Sequence, residues 1–188
     1  MRFLLPFKGL SQAKSRWGNE TPNRQALVLE LLQQNLDTVA RVVGVENVFL
    51  VSPESPRTAI KSNYHWLQSS GSGLNQDLEQ ARRLLHPSDV PLGVLLPDLP
   101  LLNHTDVEKL VQLASQAAVV LCPDHRRVGT NAVALNPADR LPFMFEGASF
   151  SRYKLACRTA GVGAVELSRP GLANDCDEHP PVRGICQP

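Results

Sequence analysis

No Cys-x-x-Cys pair occurs in the 188 residues, and Cys122, Cys157, Cys176 and Cys186 stand far apart. That spacing gives neither a zinc site nor a dense disulfide framework, so a reducing cytosol is the expected setting. Neither sign of charge predominates, with 19 Lys and Arg against 18 Asp and Glu. The formal net charge is only +1, too small to gather nucleic acid or an anionic membrane, and neither is an expected partner. A long hydrophobic run is also absent: VPLGVLLPDLPLL, the most apolar stretch, holds Asp98 and prolines and is no membrane span. Phe3 to Phe7 is too short for the apolar region of a signal peptide. There is no Walker A sequence and no Ser–His–Asp elbow. GSGLNQ approaches the dinucleotide fingerprint G-x-G-x-x-G, but Gln76 occupies the third glycine's place. The five histidines show no ligand spacing.

What is present is an alternation of short apolar runs with longer amphipathic ones, the pattern of repeated β-α units on a mostly parallel twisted sheet flanked by helices. At 188 residues this is a single α/β domain, with residues 1–177 as its body and an irregular tail over 178–188. Strands are expected at Arg2 to Phe7, NVFLVS, YHWLQ, LGVLLP, AVVLC, GTNAVALN and AVEL. Helices are expected over RQALVLELLQQNLDTVARVV after a Thr21-Pro22 cap, over NQDLEQARRLLH, over DVEKLVQLASQA capped by Thr105, and over FSRYKLACRTA capped by Ser149. Beyond Gly171 the chain reads as irregular.

Several residues carry candidate chemistry. Lys8, Lys14 and Arg16 leave the first strand in a Gly- and Ser-bearing loop; such a cluster is either a solvated turn or a grip on phosphate at the carboxyl edge of the sheet. Asp98 follows directly on an apolar strand between Pro97 and Pro100, which suits a magnesium ligand or a turn-initiating aspartate. Asp175 and Asp177 in NDCD would share one face of a strand and invite a cation, or form an exposed acidic loop. GASF opens a helix, whose free N–H groups offer a phosphate site or a plain cap. Arg126 and Arg127 precede a Gly-Thr-Asn turn whose polar groups suit an anion; paired arginines in a loop are otherwise solvated. Cys157 on its helix reads as packing.

Taken in order, LPFKGLSQAKSRW, GLNQDLEQA, PDLPLL, GTNAVALNP, FEGASFSRYKLACRTAG and DCD resemble the 2-phospho-L-lactate guanylyltransferases of CofC type, within the MobA-like nucleotidyltransferases, over about residues 2 to 177. The resemblance implies a nucleotide-diphospho-sugar transferase-like, Rossmann-like fold. It implies transfer of GMP from GTP to a small phosphorylated carboxylic acid, either 2-phospho-L-lactate, phosphoenolpyruvate or 3-phosphoglycerate, with release of pyrophosphate, toward a deazaflavin coenzyme. By motif, Asp98, Asp175 and Asp177 would hold Mg2+; Lys8, Lys14, Arg16 and Asn75 would meet the nucleotide, with Lys14 and Asp98 catalytic. Thr130, Gly147 and Ser149 would receive the acceptor. The resemblance leaves room for a homodimer and for a downstream transferase that accepts the product. Rival readings are another MobA-like nucleotidyltransferase and a non-catalytic nucleotide-binding protein. Two stretches depart from the family pattern. FEGASF stands where the family has F-G-P-G-S-F, so Glu146 brings a negative charge beside the anion site. NDCDEHPPVRGICQP keeps both aspartates but lacks the family's final helix.

Overall fold

Side chains of the first strand, β1 (Arg2–Pro6), feed two different cores: Phe3 and Leu5 pack on one side of the sheet, Leu4 on the other. The same alternation splits Leu50 from Val51 and Val120 from Leu121, because successive strand side chains point to opposite faces. The computed structural model describes residues 1–9, 24–56, 59–61, 63–85 and 90–176. Lys14, Arg16, Asp177, the expected cap at Thr21-Pro22 and the expected tail lie outside the described residues.

The elements follow as α1 (Arg24–Val43), β2 (Val48–Ser52), β3 (His65–Gln68), α2 (Leu74–Leu84), β4 (Leu92–Leu95), α3 (His104–Ala114), β5 (Val119–Pro123), β6 (Thr130–Leu135), α4 (Ser149–Thr159), β7 (Ala164–Glu166) and α5 (Pro170–Ala173). One seven-stranded sheet runs β3-β2-β1-β4-β6-β5-β7. All pairings are parallel except those of β6, which is antiparallel to both β4 and β5. α1 and α3 cover one face through Leu32, Leu36, Val39, Val107 and Leu110; α2 and α4 cover the other through Leu78, Ala81, Phe150 and Tyr153. β4, β5 and β6 are buried along their whole length, which explains the nearly continuous apolar sequence of β4 and β5; β6 opens instead on buried Thr130 and Asn131.

Three local expectations are corrected. The N-cap of α3 is Asn103, whose side chain accepts from Thr105 N and Asp106 N in a capping box with Asp106; Thr105 lies inside the helix. α4 begins at Ser149, but its cap position is Ala148 and has no side-chain cap bond. The chain is not irregular from Gly171, because α5 reaches Ala173.

Candidate active site at the carboxyl edge of the sheet

The strand order reverses between β1 and β4, and a parallel α/β sheet opens its ligand crevice at that switch. A cleft of about 630 Å³ lies there, and its lining includes Lys8, Asp98, Asp124, Thr130, Glu146 and Asp175. Lys8 follows β1, Asp98 follows β4, and Thr130 starts β6. Because β6 is antiparallel, its first residue meets the last residues of its neighbours. The Asn131 carbonyl accepts from Leu96 N at 2.9 Å and locks that edge together.

Asp98 sits in a turn whose backbone is held from three sides. Its own carbonyl accepts from Cys176 N at 3.1 Å. The Leu99 carbonyl accepts from buried Asn35 Nδ2 at 3.2 Å, and the Pro100 carbonyl from Gln34 Nε2 at 3.2 Å. The Cys176–Asp98 bond also brings the neighbouring Asp175 into the same cleft. α5 reaches that position because Asn131 Nδ2 donates to the Leu172 and Ala173 carbonyls at 3.0 and 3.3 Å, and His125 N to the Ala173 carbonyl at 2.8 Å. Its other end is anchored where Arg169 Nε donates to the buried Asp106 carboxylate on α3. Gly171 packs against that carboxylate so closely that a Cβ would lie 1.9 Å from Asp106 Oδ2.

Thr130 and Ser149 form a buried hydroxyl pair, with Ser149 Oγ donating to Thr130 Oγ1 at 3.1 Å. Thr130 lines the cleft, and Ser149 stands behind it. Because Ser149 supplies that proton, the Thr130 hydroxyl keeps its own to donate. The start of α4 offers fewer donors than its sequence suggests: Ser149 N is bonded to the Gly147 carbonyl and Phe150 N to the Val128 carbonyl. Gly147 itself lines the cleft in a turn with φ +62°, where glycine is favoured.

Asn75 lies at the start of α2, and its Oδ1 accepts from Phe145 N at 2.7 Å; this joins α2 to the loop before α4. Asp124 uses its carboxylate on Val128 N and Gly129 N, which closes the β5–β6 turn. Arg127 pairs with Glu166 and lies over the Phe150 ring. Together with Lys154 it holds the Glu166 carboxyl below its ordinary range, the hydrogen bonds to the two cations being the main cause. Burial pushes the Cys122 and Cys157 thiols up, which leaves them unreactive packing residues. Sequence reasoning missed two α5 anchors, Asp106 and Arg169, and gave the third, Asn131 of the Gly-Thr-Asn turn, to an anion, whereas its buried amide holds α5. Their contacts span 41 to 64 positions, and no local pattern marks them.

Lys8 is the only cation among the described residues lining the cleft, facing four carboxylates. Asp98 and Asp175 are hard oxygen donors of the kind Mg2+ takes, so the donor chemistry fits that ion. Among the described residues no three His, Cys, Asp or Glu side chains gather closely enough to hold a metal alone; Asp177 is outside them. None of the helices in the described residues is long and apolar enough to cross a membrane.

The family described as guanylyl transferase CofC like matches residues 1–165. A phosphoenolpyruvate guanylyltransferase of Chloroflexus aggregans is 34% identical over 97% of this chain and 95% of its own. A 2-phospho-L-lactate guanylyltransferase of Methanopyrus kandleri is 29% identical, covering 95% and 87%. A 3-phospho-D-glycerate guanylyltransferase of Colwellia psychrerythraea is 24% identical, covering 93% and 85%. A solved structure from Desulfovibrio desulfuricans G20, assigned to the nucleotide-diphospho-sugar transferases, superposes with a TM-score of 0.76 at 16% identity, over 93% of this chain and 80% of that one.

Proposed function

The chain belongs to the CofC-like guanylyl transferase family, and from that premise we propose that it transfers GMP from GTP to a small phosphorylated three-carbon acid. The observation that carries this reading is the joint seating of Asp98, Asp175 and Thr130 in one cleft at the β1–β4 switch. A phosphate oxygen of the acceptor attacks the α-phosphorus of GTP, the α–β phosphoanhydride bond breaks, and pyrophosphate leaves. The acceptor phosphate is already ionised at neutral pH, so the site needs no general base. Its work is to bring two anions together and to hold them in line.

Lys8, together with Lys14 and Arg16 outside the described residues, binds the triphosphate. Thr130, oriented by Ser149, and the Gly147 turn receive the acceptor's phosphate. Asp98 and Asp175, with Asp177, would hold Mg2+, which would offset charge on the triphosphate and on the departing pyrophosphate. A lining of four carboxylates and one described lysine supports such a need for added positive charge. The product is an activated precursor for a deazaflavin coenzyme, made in the cytoplasm and consumed by a downstream transferase. Pyrophosphate release from GTP, assayed against each of the three acceptors, tests the reading. GTP binding without release would make the chain a nucleotide-binding protein instead.

Two substitutions separate the ends of the cleft. Lys14→Ala weakens GTP binding and leaves the acceptor's apparent affinity nearly unchanged, as titration of each ligand in turn reads; selective loss of the acceptor would reassign Lys14. Ser149→Ala raises the acceptor's KM by about tenfold, equivalent to the ~1–2 kcal/mol of a weakened hydrogen bond to a charged group. A melt measured alongside separates that effect from the loss of a buried contact.

A further inference from the structure

Glu146 lines the cleft with its backbone held on both sides and its side chain exposed. On one side Phe145 N is bonded to Asn75, and the Phe145 ring stands edge-on to Tyr153 with centroids 5.9 Å apart. The Glu146 carbonyl accepts from Arg152 Nη1 at 3.0 Å. On the other side Gly147 turns with φ +62°, and its carbonyl accepts from Ser149 N at 2.8 Å. Arg152 therefore serves the backbone and not the carboxylate. The carboxylate reaches toward α2, its Oε1 4.0 Å from where a Cβ on Gly73 would stand. Among the described residues it has no hydrogen bond or ion pair, whereas Asp124, also in the lining, is bonded to Val128 N and Gly129 N.

A carboxylate in the wall of the cleft repels anions and accepts hydrogen bonds. Each candidate acceptor carries a carboxylate and a phosphate, so an acceptor without a donor meets Glu146 as repulsion alone. One with a free hydroxyl turns the same contact into a charge-assisted hydrogen bond. We infer that Glu146 sets the choice of acceptor and selects a three-carbon phospho-acid bearing a free hydroxyl, of which 3-phospho-D-glycerate is an example, over acids that lack one, such as phosphoenolpyruvate and 2-phospho-L-lactate. The inference rests on the guanylyl-transfer reading for the place of the acceptor and narrows its substrate class.

The test pairs calorimetric titration with pyrophosphate release, using the full chain with Mg2+ and three probes: 3-phospho-D-glycerate, its deoxy analogue 3-phosphopropionate, and phosphoenolpyruvate. The parent should bind and turn over the hydroxylated acid at least ~10-fold better than the deoxy analogue. Glu146→Gln, whose amide oxygen still accepts, should keep that preference and gain on phosphoenolpyruvate. Glu146→Ala should bring the ratio of hydroxylated to deoxy acid near one, mainly through KM. A parent that handles the deoxy analogue as well as 3-phospho-D-glycerate overturns the inference, as does a ratio unchanged by Glu146→Ala in a folded variant. If no acceptor releases pyrophosphate, the guanylyl-transfer reading falls, and the titration ratios alone decide the role of Glu146.

Discussion

Asp98→Asn is expected to cut pyrophosphate release by at least ~10²-fold, on the scale of losing one preorganised charge-stabilising group. The change removes a charge and almost no volume. The turn that carries it is held by main-chain bonds from Cys176 and by Asn35 and Gln34 on the flanking carbonyls, none of which involves the carboxylate. The fold should therefore survive, with a melting temperature close to the parent's, while turnover collapses. GTP binding measured at several Mg2+ concentrations locates the defect: a lost metal ligand makes binding less responsive to the ion. Full turnover by the folded variant would remove Asp98 from the reacting centre.

Gly171→Ala is the second large effect, and it acts on the fold first. The new methyl group would lie 1.9 Å from Asp106 Oδ2 and 2.7 Å from the Leu101 carbonyl. Asp106 cannot simply yield, because it is 1% exposed, completes the α3 capping box and anchors Arg169. Overpacking of this kind costs about 1–3 kcal/mol, and at this size each kcal/mol lowers the melting temperature by roughly 2–4 °C. The displacement passes to Asp175 because α5 carries it, so turnover should fall even at temperatures where the variant is folded. Calorimetry and pyrophosphate release on one preparation read both losses. Parent-like values for both would mean that α5 is not seated on α3 in solution.

The helices and strands were legible because their signals are local. The expected span of α1 coincides with Arg24–Val43, since its apolar stripe repeats with the helical period, and short apolar runs marked β4 and β5. The direction of β6 was legible but went unread. Between Pro123 and Thr130 the link is too short for the dozen or more residues that a parallel crossover needs, so a hairpin was the available connection. At the site, Lys8, Asp98, Thr130, Gly147 and Asp175 line one cleft, while Asn75 and Ser149 stand outside its lining. What could not be read was which polar group answers which. Asn103 caps α3 in the place given to Thr105. Ser149 gave its hydroxyl to Thr130, 19 positions away, rather than to its own helix. Such pairings depend on tertiary placement, which residue spacing does not encode.

The reversed strand β6 also sets the order in which the chain can be completed during synthesis. β4 pairs with β1 on one side, but its other edge is covered only by β6. A nascent chain that has emerged only as far as β5 therefore has no partner for the β6-facing backbone groups of Leu92–Leu95, an apolar strand edge of the kind that recruits other chains. When β6 arrives, it closes a short-range hairpin with β5 and pairs with β4, so one late segment seals two strands. Truncations ending before Thr130 should be recovered as aggregates, and those ending beyond Leu135 in progressively more soluble form.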